Sequence, residues 1–107
     1  MMSVADDGTP YETSSADGAI VREIPITNKR GLHARASAKF VQMVERFDAE
    51  ITVTRNNETV GGNSIMGLMM LSAGPGSSII VSASGAQARE AIDALTELVT
   101  TKFGEDE

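Results

Sequence analysis

Hydrophobic residues recur along the chain with two different periods. A period of two, which places alternate side chains on one face of a β-strand, runs through residues 20–27, 50–55 and 58–61. Residues 78–82 enclose three consecutive β-branched apolar side chains, a pattern typical of a buried strand. Asn56-Asn57 separates two of these runs and tolerates left-handed backbone geometry, which favours a tight hairpin. The pattern therefore predicts four strands.

Three other segments have apolar residues at helical spacing. The first helix is predicted from residue 33 or 34 to residue 46, and the last one ends before Gly104. A short apolar run over residues 65–71 follows Ser64, a residue type that commonly caps a helix N-terminus. The apolar stripe of the first helix comprises Ala36, Phe40, Met43, Val44 and Phe47, and that of the last comprises Ala88, Ile92, Leu95 and Val99.

The order of elements, β-α-β-β-α-β-α, predicts an α+β fold. Strands and helices in this ratio form a four-stranded antiparallel sheet covered on one face by three helices. We expect one domain over residues 19–104, because a chain of 107 residues is enough for one compact core and not for two. Residues 1–18 show no hydrophobic period and are predicted to be a disordered acidic leader. Residues 105–107 are predicted to be an acidic tail.

The negative charge of the chain is concentrated at its ends. The formal net charge is −6, but residues 19–104 hold all nine lysines and arginines against eight acidic residues. Several basic residues surround the single histidine, His33; they are Lys29, Arg30, Arg35, Lys39 and Arg46. A local positive field of this kind suits a small anion or an acidic partner surface.

The composition excludes several classes of site and location. The chain has no cysteine, which excludes a disulfide framework, a thiolate metal site and a cysteine nucleophile. Its apolar stretches are far shorter than a bilayer span, and its first residues lack the basic and apolar regions of a signal peptide. We therefore expect a cytoplasmic protein without membrane insertion.

His33 lies at the junction between the first predicted strand and the first predicted helix. A helix N-terminus carries partial positive charge and unpaired N–H groups, which favour a bound anion. A phosphoryl group on this imidazole would meet the amides of Ala34, Arg35 and Ala36 and the guanidinium of Arg35. A lone histidine more often has no such role. Two features favour a phosphoryl site at His33. Gly31 permits close approach of another molecule to the backbone, and no other side chain offers comparable nucleophilic chemistry.

Two motifs carry a resemblance to a known family. The run Gly-Leu-His-Ala-Arg over residues 31–35, followed by small residues and Lys39-Phe40-Val41, resembles the active-site signature of HPr. HPr is the histidine-containing phosphocarrier family of the bacterial phosphoenolpyruvate-dependent phosphotransferase system. Residues 62–69 resemble the regulatory serine region of that family, and the resemblance extends over about residues 20–103. Ala36 departs from the proline of many members, so we expect altered transfer rates rather than lost function.

The resemblance implies a phosphoryl relay in sugar transport. Phospho-enzyme I would donate to Nδ1 of His33, assisted by Arg35, and a histidine of an enzyme IIA domain would accept the phosphoryl group. The family implies a monomeric carrier with a transient phosphohistidine, not an independent enzyme, and no cofactor or metal ion. It also implies phosphorylation of Ser64 by HPr kinase/phosphorylase, beside the capping role that the residue pattern indicates. The expected partner interface comprises Arg30, Lys39, Ile65, Met66 and Met69, together with Met70.

Three alternatives remain at this point. A regulatory, nitrogen-branch HPr paralogue would use the same histidine and act mainly through protein binding. A small nucleic-acid-binding domain would need aromatic residues on its sheet, and none of the four aromatic residues lies on a predicted strand. An independent hydrolase would need a second acid–base group near His33, which the sequence does not supply. We expect no nucleic-acid partner.

Overall fold

Five antiparallel strands form one sheet in the computed structural model, which describes residues 11–14 and 18–105. The strands are β1 (Tyr11–Ser14), β2 (Ile20–Pro25), β3 (Glu50–Arg55), β4 (Glu58–Gly61) and β5 (Ser78–Ser84). Their order across the sheet is β1-β2-β5-β3-β4. The four predicted strands are β2 to β5, and β1 is an addition at the edge of the sheet.

Three helices complete the described part of the chain, with a short turn after the last one. They are α1 (Ala34–Val44), α2 (Ile65–Met70) and α3 (Ala88–Thr100), and the turn spans Lys102–Gly104. The helix α1 packs against α2 and α3, and α3 packs against β2 and β5. The predicted α+β architecture is therefore confirmed, although α1 ends two residues earlier than its apolar pattern predicted.

The core lies between the helices and the inner face of the sheet. Alternate residues of β5 are buried, beginning with Ile79, and Val53 of β3 pairs with Val81 in the same layer. The largest fully buried apolar side chains are Phe40, Phe103, Ile24, Ile26, Leu68, Ile79, Ile92, Leu95, Val53, Val81 and Val99. The predicted stripes of α1 and α3 thus face the core, which fixes the position of the N-terminus of α1 relative to the sheet.

The hairpin between β3 and β4 has the predicted two-residue turn. Asn56 and Asn57 have φ values of 53° and 67°, and Arg55 pairs with Glu58 across the turn. Positive φ at both central residues matches the right-handed twist of the two strands.

The prediction of a disordered leader over residues 1–18 is wrong for residues 11–14. These residues form β1, which pairs in antiparallel register with β2. Glu12 accepts a hydrogen bond from Arg22 of β2 and forms an ion pair of 2.9 Å with Arg89 of α3. Backbone pairing and these charges hold β1 against β2. Because residues 11–14 have no apolar stripe, the hydrophobic pattern of the sequence could not predict this strand. The rest of the predicted leader, apart from Gly18, lies outside the described residues.

Candidate functional site

His33 is the N-cap residue of α1. Its backbone is extended (φ −72°, ψ 179°), and its side chain makes no capping hydrogen bond. Its carbonyl accepts a hydrogen bond of 2.8 Å from the amide of Ser37. Within the described part of the chain, the amides of Ala34, Arg35 and Ala36 have no hydrogen-bond partner. Three unpaired N–H groups therefore lie at the positive end of the helix dipole next to His33; Ala34 and Arg35 are exposed to an approaching anion, whereas Ala36 is buried.

Hydrogen bonds within the loop and to Ala73 hold the backbone that precedes His33. The buried side chain of Asn28 donates through Nδ2 to the carbonyl of Gly31 at 2.9 Å, and the amide of Gly31 donates to the carbonyl of Asn28 at 3.2 Å. The amide of Leu32 donates to the carbonyl of Ala73 at 2.9 Å. These contacts fix the backbone direction with which the chain enters α1.

The imidazole of His33 contacts a carboxylate from the other end of the chain. Its Nε2 atom lies 2.6 Å from Oε2 of Glu105, and both side chains are mostly buried, at 15% and 17% exposed. Asn28 Nδ2 also donates to Oε1 of Glu105 at 3.1 Å. No described residue hydrogen-bonds Nδ1 of His33. The carboxylate therefore pairs with one ring nitrogen, and the other has no hydrogen-bond partner among the described residues.

This contact corrects the predicted domain boundary at residue 104. Glu105 was expected to belong to an acidic tail outside the domain, whereas its carboxylate is part of the site. The prediction is wrong because sequence patterns register only local charge, and this contact joins residues 72 positions apart. Residues 106–107 lie outside the described part of the chain.

A left-handed turn brings Glu105 back to His33. Lys102, Phe103 and Gly104 have φ values of 60°, 57° and 76°. The side chain of Phe103 is buried in the core, and its carbonyl accepts a hydrogen bond of 2.7 Å from Nζ of Lys39. Non-glycine residues adopt this backbone region at a cost, which burial of the aromatic ring offsets. The turn therefore reverses the chain after α3 and directs residue 105 toward the start of α1.

Glu105 is an ionised acceptor in this arrangement. Burial by itself would raise the pKa of the Glu105 carboxyl. Hydrogen bonds from His33 and Asn28, with the charges of His33 and Lys39, outweigh burial, and the pKa lies below its ordinary value of 4.5. At neutral pH the group is therefore a carboxylate beside the imidazole.

The basic residues predicted for the site differ in their surroundings. Arg30 and Arg35 are exposed, and Arg35 forms no hydrogen bond or ion pair with any residue among 11–14 and 18–105. Lys39 lies on α1 and is held by the carbonyl of Phe103. Ala36 is fully buried in the first turn of α1. The guanidinium of Arg35 is thus exposed and unpaired among the described residues, whereas the ammonium of Lys39 is held beside the C-terminal turn.

The helix α2 presents an apolar surface that no described residue covers. Four of its six residues are large, exposed hydrophobics: Ile65 (40% exposed), Met66 (70%), Met69 (40%) and Met70 (65%). Leu68 is the buried residue that anchors the helix, and Ser64 caps it by accepting a hydrogen bond of 3.0 Å from the amide of Gly67. We name the four exposed residues the α2 patch. It lies on the helix that packs against α1.

Among residues 11–14 and 18–105, no group of three or more histidine, cysteine or acidic residues is arranged to hold a metal ion. Among the same residues, no helix is both long enough and apolar enough to cross a membrane.

Asn28 and Glu105 are the site residues that sequence reasoning missed. Asn28 lies in the loop that precedes His33, and only its complete burial distinguishes it from a solvent-exposed turn residue. Glu105 lies in a short acidic run whose composition indicates solvation. No local signal in the sequence marks Glu105 as a contact of the histidine or Asn28 as a contact of Glu105.

Comparison with known proteins identifies the family. A sequence model of the family described as "PTS HPr component phosphorylation site" matches residues 20–101. The phosphocarrier protein HPr of Neisseria meningitidis serogroup A is 51% identical over 86 residues, covering 80% of this chain and 97% of that protein. The phosphocarrier protein NPr of Shewanella violacea is 42% identical over 84 residues, covering 78% of this chain and 92% of that protein.

A solved structure identifies the same family. HPr-C-His from Thermoanaerobacter tengcongensis superimposes with a TM-score of 0.78 at 44% identity, covering 81% of this chain and 98% of that one. The fold, the matched range and the identity to named phosphocarriers agree with the family that residues 31–35 and 62–69 indicated. The chain belongs to the HPr family, the phosphocarrier proteins of the phosphotransferase system.

Proposed function

We propose that this protein carries a phosphoryl group on Nδ1 of His33, accepting it from phospho-enzyme I and passing it to a histidine of an enzyme IIA domain. The observation that carries the proposal is the placement of His33 at the N-cap of α1, with Nε2 occupied by Glu105 and the three following amides unpaired. The protein would act as a monomer in the cytoplasm, as a carrier rather than as an independent enzyme.

The proposed chemistry requires little of the protein beyond positioning. The lone pair of Nδ1 attacks phosphorus while the bond from phosphorus to the donor breaks, and the electron pair of that bond stays on the donor. The three equatorial oxygens carry negative charge during this step. The unpaired amides of Ala34, Arg35 and Ala36 and the exposed guanidinium of Arg35 are suited to stabilise that charge.

Incubation with phosphoenolpyruvate and a catalytic amount of enzyme I, followed by intact-mass measurement, tests the proposal. We expect an acid-labile gain of one phosphate on the wild-type chain and none on His33→Ala. A parallel sample of another HPr shows whether the enzyme I is active. The proposal is wrong if active enzyme I leaves the wild type unmodified, or if His33→Ala gains the same phosphate.

The α2 patch supports a role in partner binding. A carrier must bind two different proteins through one surface, and flexible methionines adapt to different shapes. We propose that Ile65, Met66 and Met69, together with Met70, form the apolar part of this interface, and that Arg30 and Lys39 contribute positive charge. Lys39 would contribute from its fixed position beside Phe103.

A second candidate function is service in a nitrogen-related branch, which the 42% identity to an NPr protein favours. Both branches would use His33, so the acceptor is what distinguishes them. Phosphorylated protein should be mixed separately with an enzyme IIA of a sugar transporter and with a nitrogen-branch enzyme IIA. Faster transfer to the sugar-type domain supports the first function, and faster transfer to the nitrogen-type domain supports the second.

We also propose that HPr kinase/phosphorylase regulates the carrier by phosphorylating Ser64. The Ser64 hydroxyl lies at the start of α2, beside the α2 patch, so a charge of about −2 there would repel an acidic partner face. Incubation with ATP and the kinase should add one phosphate to the wild type and none to Ser64→Ala. Equal gains on both proteins, or no gain on the wild type, would exclude Ser64 as the modified residue.

A further inference from the structure

We propose that Glu105 is a positioning residue that holds the proton of His33 on Nε2 and thereby directs the phosphoryl group to Nδ1. The inference deepens the proposed function and rests on it, because it names the group that selects which ring nitrogen reacts. Glu105 is not a catalytic residue, since its recorded contact is with Nε2 and not with Nδ1.

The first argument is the geometry of the contact. An ionised carboxylate can only accept a hydrogen bond, so an Nε2 atom 2.6 Å from Oε2 must carry the hydrogen. In a neutral imidazole the lone pair then resides on Nδ1. Both partners are mostly buried, which reduces competition from water for this hydrogen bond. The contact therefore selects one tautomer and shields one nitrogen.

The second argument is that the carboxylate is itself held in place. Asn28 Nδ2 donates to Oε1 of Glu105 and to the carbonyl of Gly31, so one buried amide ties the carboxylate to the loop that carries His33. The Lys102–Gly104 turn fixes the backbone on the other side through buried Phe103. A group held from two directions can orient the imidazole without reorganising during the reaction.

The third argument is the balance of charge during transfer. When Nδ1 bonds phosphorus and Nε2 keeps its hydrogen, the ring becomes a phosphorylated imidazolium with one positive charge. The carboxylate of Glu105 compensates that charge. Besides His33, Lys39 is the charged side chain that acts on the Glu105 carboxylate. No proton needs to enter or leave the ring in either direction of transfer, which suits a carrier that must both accept and donate.

Potassium phosphoramidate is a small phosphoryl donor with no protein surface. It therefore separates the effect of Glu105 on which ring nitrogen reacts from any selectivity that a partner enzyme imposes. The wild-type chain should form predominantly Nδ1-phosphohistidine, measured as the ratio of the two isomers by ³¹P NMR. Glu105→Ala should lower the ratio of Nδ1 to Nε2 product by at least about tenfold, the change that a charge-assisted hydrogen bond commonly produces. Equal ratios in the two proteins would overturn the proposal.

Two further variants distinguish positioning from a general effect of charge or stability. Glu105→Gln keeps the size of the side chain but has only one acceptor oxygen for two donors. With that oxygen on Asn28 Nδ2, its amide group donates to Nε2 and favours the hydrogen on Nδ1, so the Nδ1 selectivity should fall at least as far as in Glu105→Ala. Glu97→Ala removes an exposed carboxylate of α3 and should behave as the wild type. A loss of selectivity in Glu97→Ala as large as that in Glu105→Ala would contradict a specific role for Glu105. Urea unfolding of each variant verifies that all are folded.

The ¹⁵N spectrum of the imidazole gives a readout that needs no phosphorylation. His33 is the only histidine, so one pair of ring resonances reports the tautomer directly. We expect nearly complete Nε2–H tautomer in the neutral wild type and a mixture in Glu105→Ala. Identical spectra would overturn the proposal even if phosphoramidate left both proteins unmodified. Because neither measurement uses enzyme I, failure of the enzyme I experiment and failure of this proposal are distinguishable.

Discussion

A Cβ atom added to Gly31 would collide with the carbonyl oxygen of Ala73. The loop before His33 thus runs directly against the segment that follows α2, and the amide of Leu32 donates to the same carbonyl. Gly31 also has a φ of 63°, which side-chain-bearing residues adopt at a cost. The contact joins the two parts of the chain that carry the family motifs.

We expect Gly31→Ala to destabilise the protein more than Gly18→Ala. Both glycines have positive φ, so both variants incur left-handed strain of roughly 1–3 kcal/mol. A Cβ on Gly18 meets nothing within 4 Å, whereas one on Gly31 meets backbone atoms, so only Gly31→Ala adds a collision. Urea unfolding measures the difference. Equal losses of unfolding free energy in the two variants would show that the backbone near Ala73 accommodates the added Cβ atom without measurable cost.

We expect Met66→Ser combined with Met70→Ser to weaken partner binding without unfolding the protein. The two side chains are 70% and 65% exposed, so their replacement should change the free energy of unfolding by less than about 1 kcal/mol. Leu68→Ala, in the same helix but fully buried, should cost about 2–5 kcal/mol. Calorimetric binding to enzyme I and thermal unfolding separate the effects. Undiminished binding by the methionine variant would place the interface elsewhere.

We expect Ser64→Ala to lose about 0.5–2 kcal/mol of stability, because the hydroxyl that caps α2 is removed. Ser64→Asp retains an acceptor for the amide of Gly67 and should remain close to the wild type. Chemical denaturation of the three proteins checks this order. An alanine variant as stable as the wild type would show that the cap contributes little to this six-residue helix.

We expect the stabilising effect of Glu12 to disappear in acid. Hydrogen bonding from Arg22 lowers the pKa of the Glu12 carboxyl; burial opposes this, and Arg89 adds to it, so the net pKa lies below 4.5. A lowered folded-state pKa means that the contribution is complete above pH 4.5 and is lost as the pH falls through the lowered value.

The measurement is the stability difference between the wild type and Glu12→Gln at about pH 7 and about pH 3, where linkage predicts a smaller difference at the lower pH. Glu105 also has a lowered pKa, but it is present in both proteins, so its effect cancels. A difference that does not change with pH would show that Glu12 does not hold β1 through its charge.

Local patterns in the sequence were sufficient for most of the fold. The stripes of α1 and α3 reflect the helical period, and the strand alternation reflects the period of two, because each element must turn one face to the core. The Asn56 and Asn57 turn follows from local backbone preferences as well. The position of His33 at the start of α1 was predicted for the same reason, since a helix begins where its own periodic residues begin.

Other features were decided only by tertiary structure. The strand β1 exists because the edge of β2 and two arginines offer partners to a segment without an apolar stripe. Glu105 reaches both His33 and Asn28 because the chain reverses after α3 around the buried ring of Phe103. The sequence by itself determined that the single histidine stands at a helix N-terminus. Which ring nitrogen that histidine leaves free depends on a carboxylate 72 positions away, and contacts across such a distance are formed only when the core has packed.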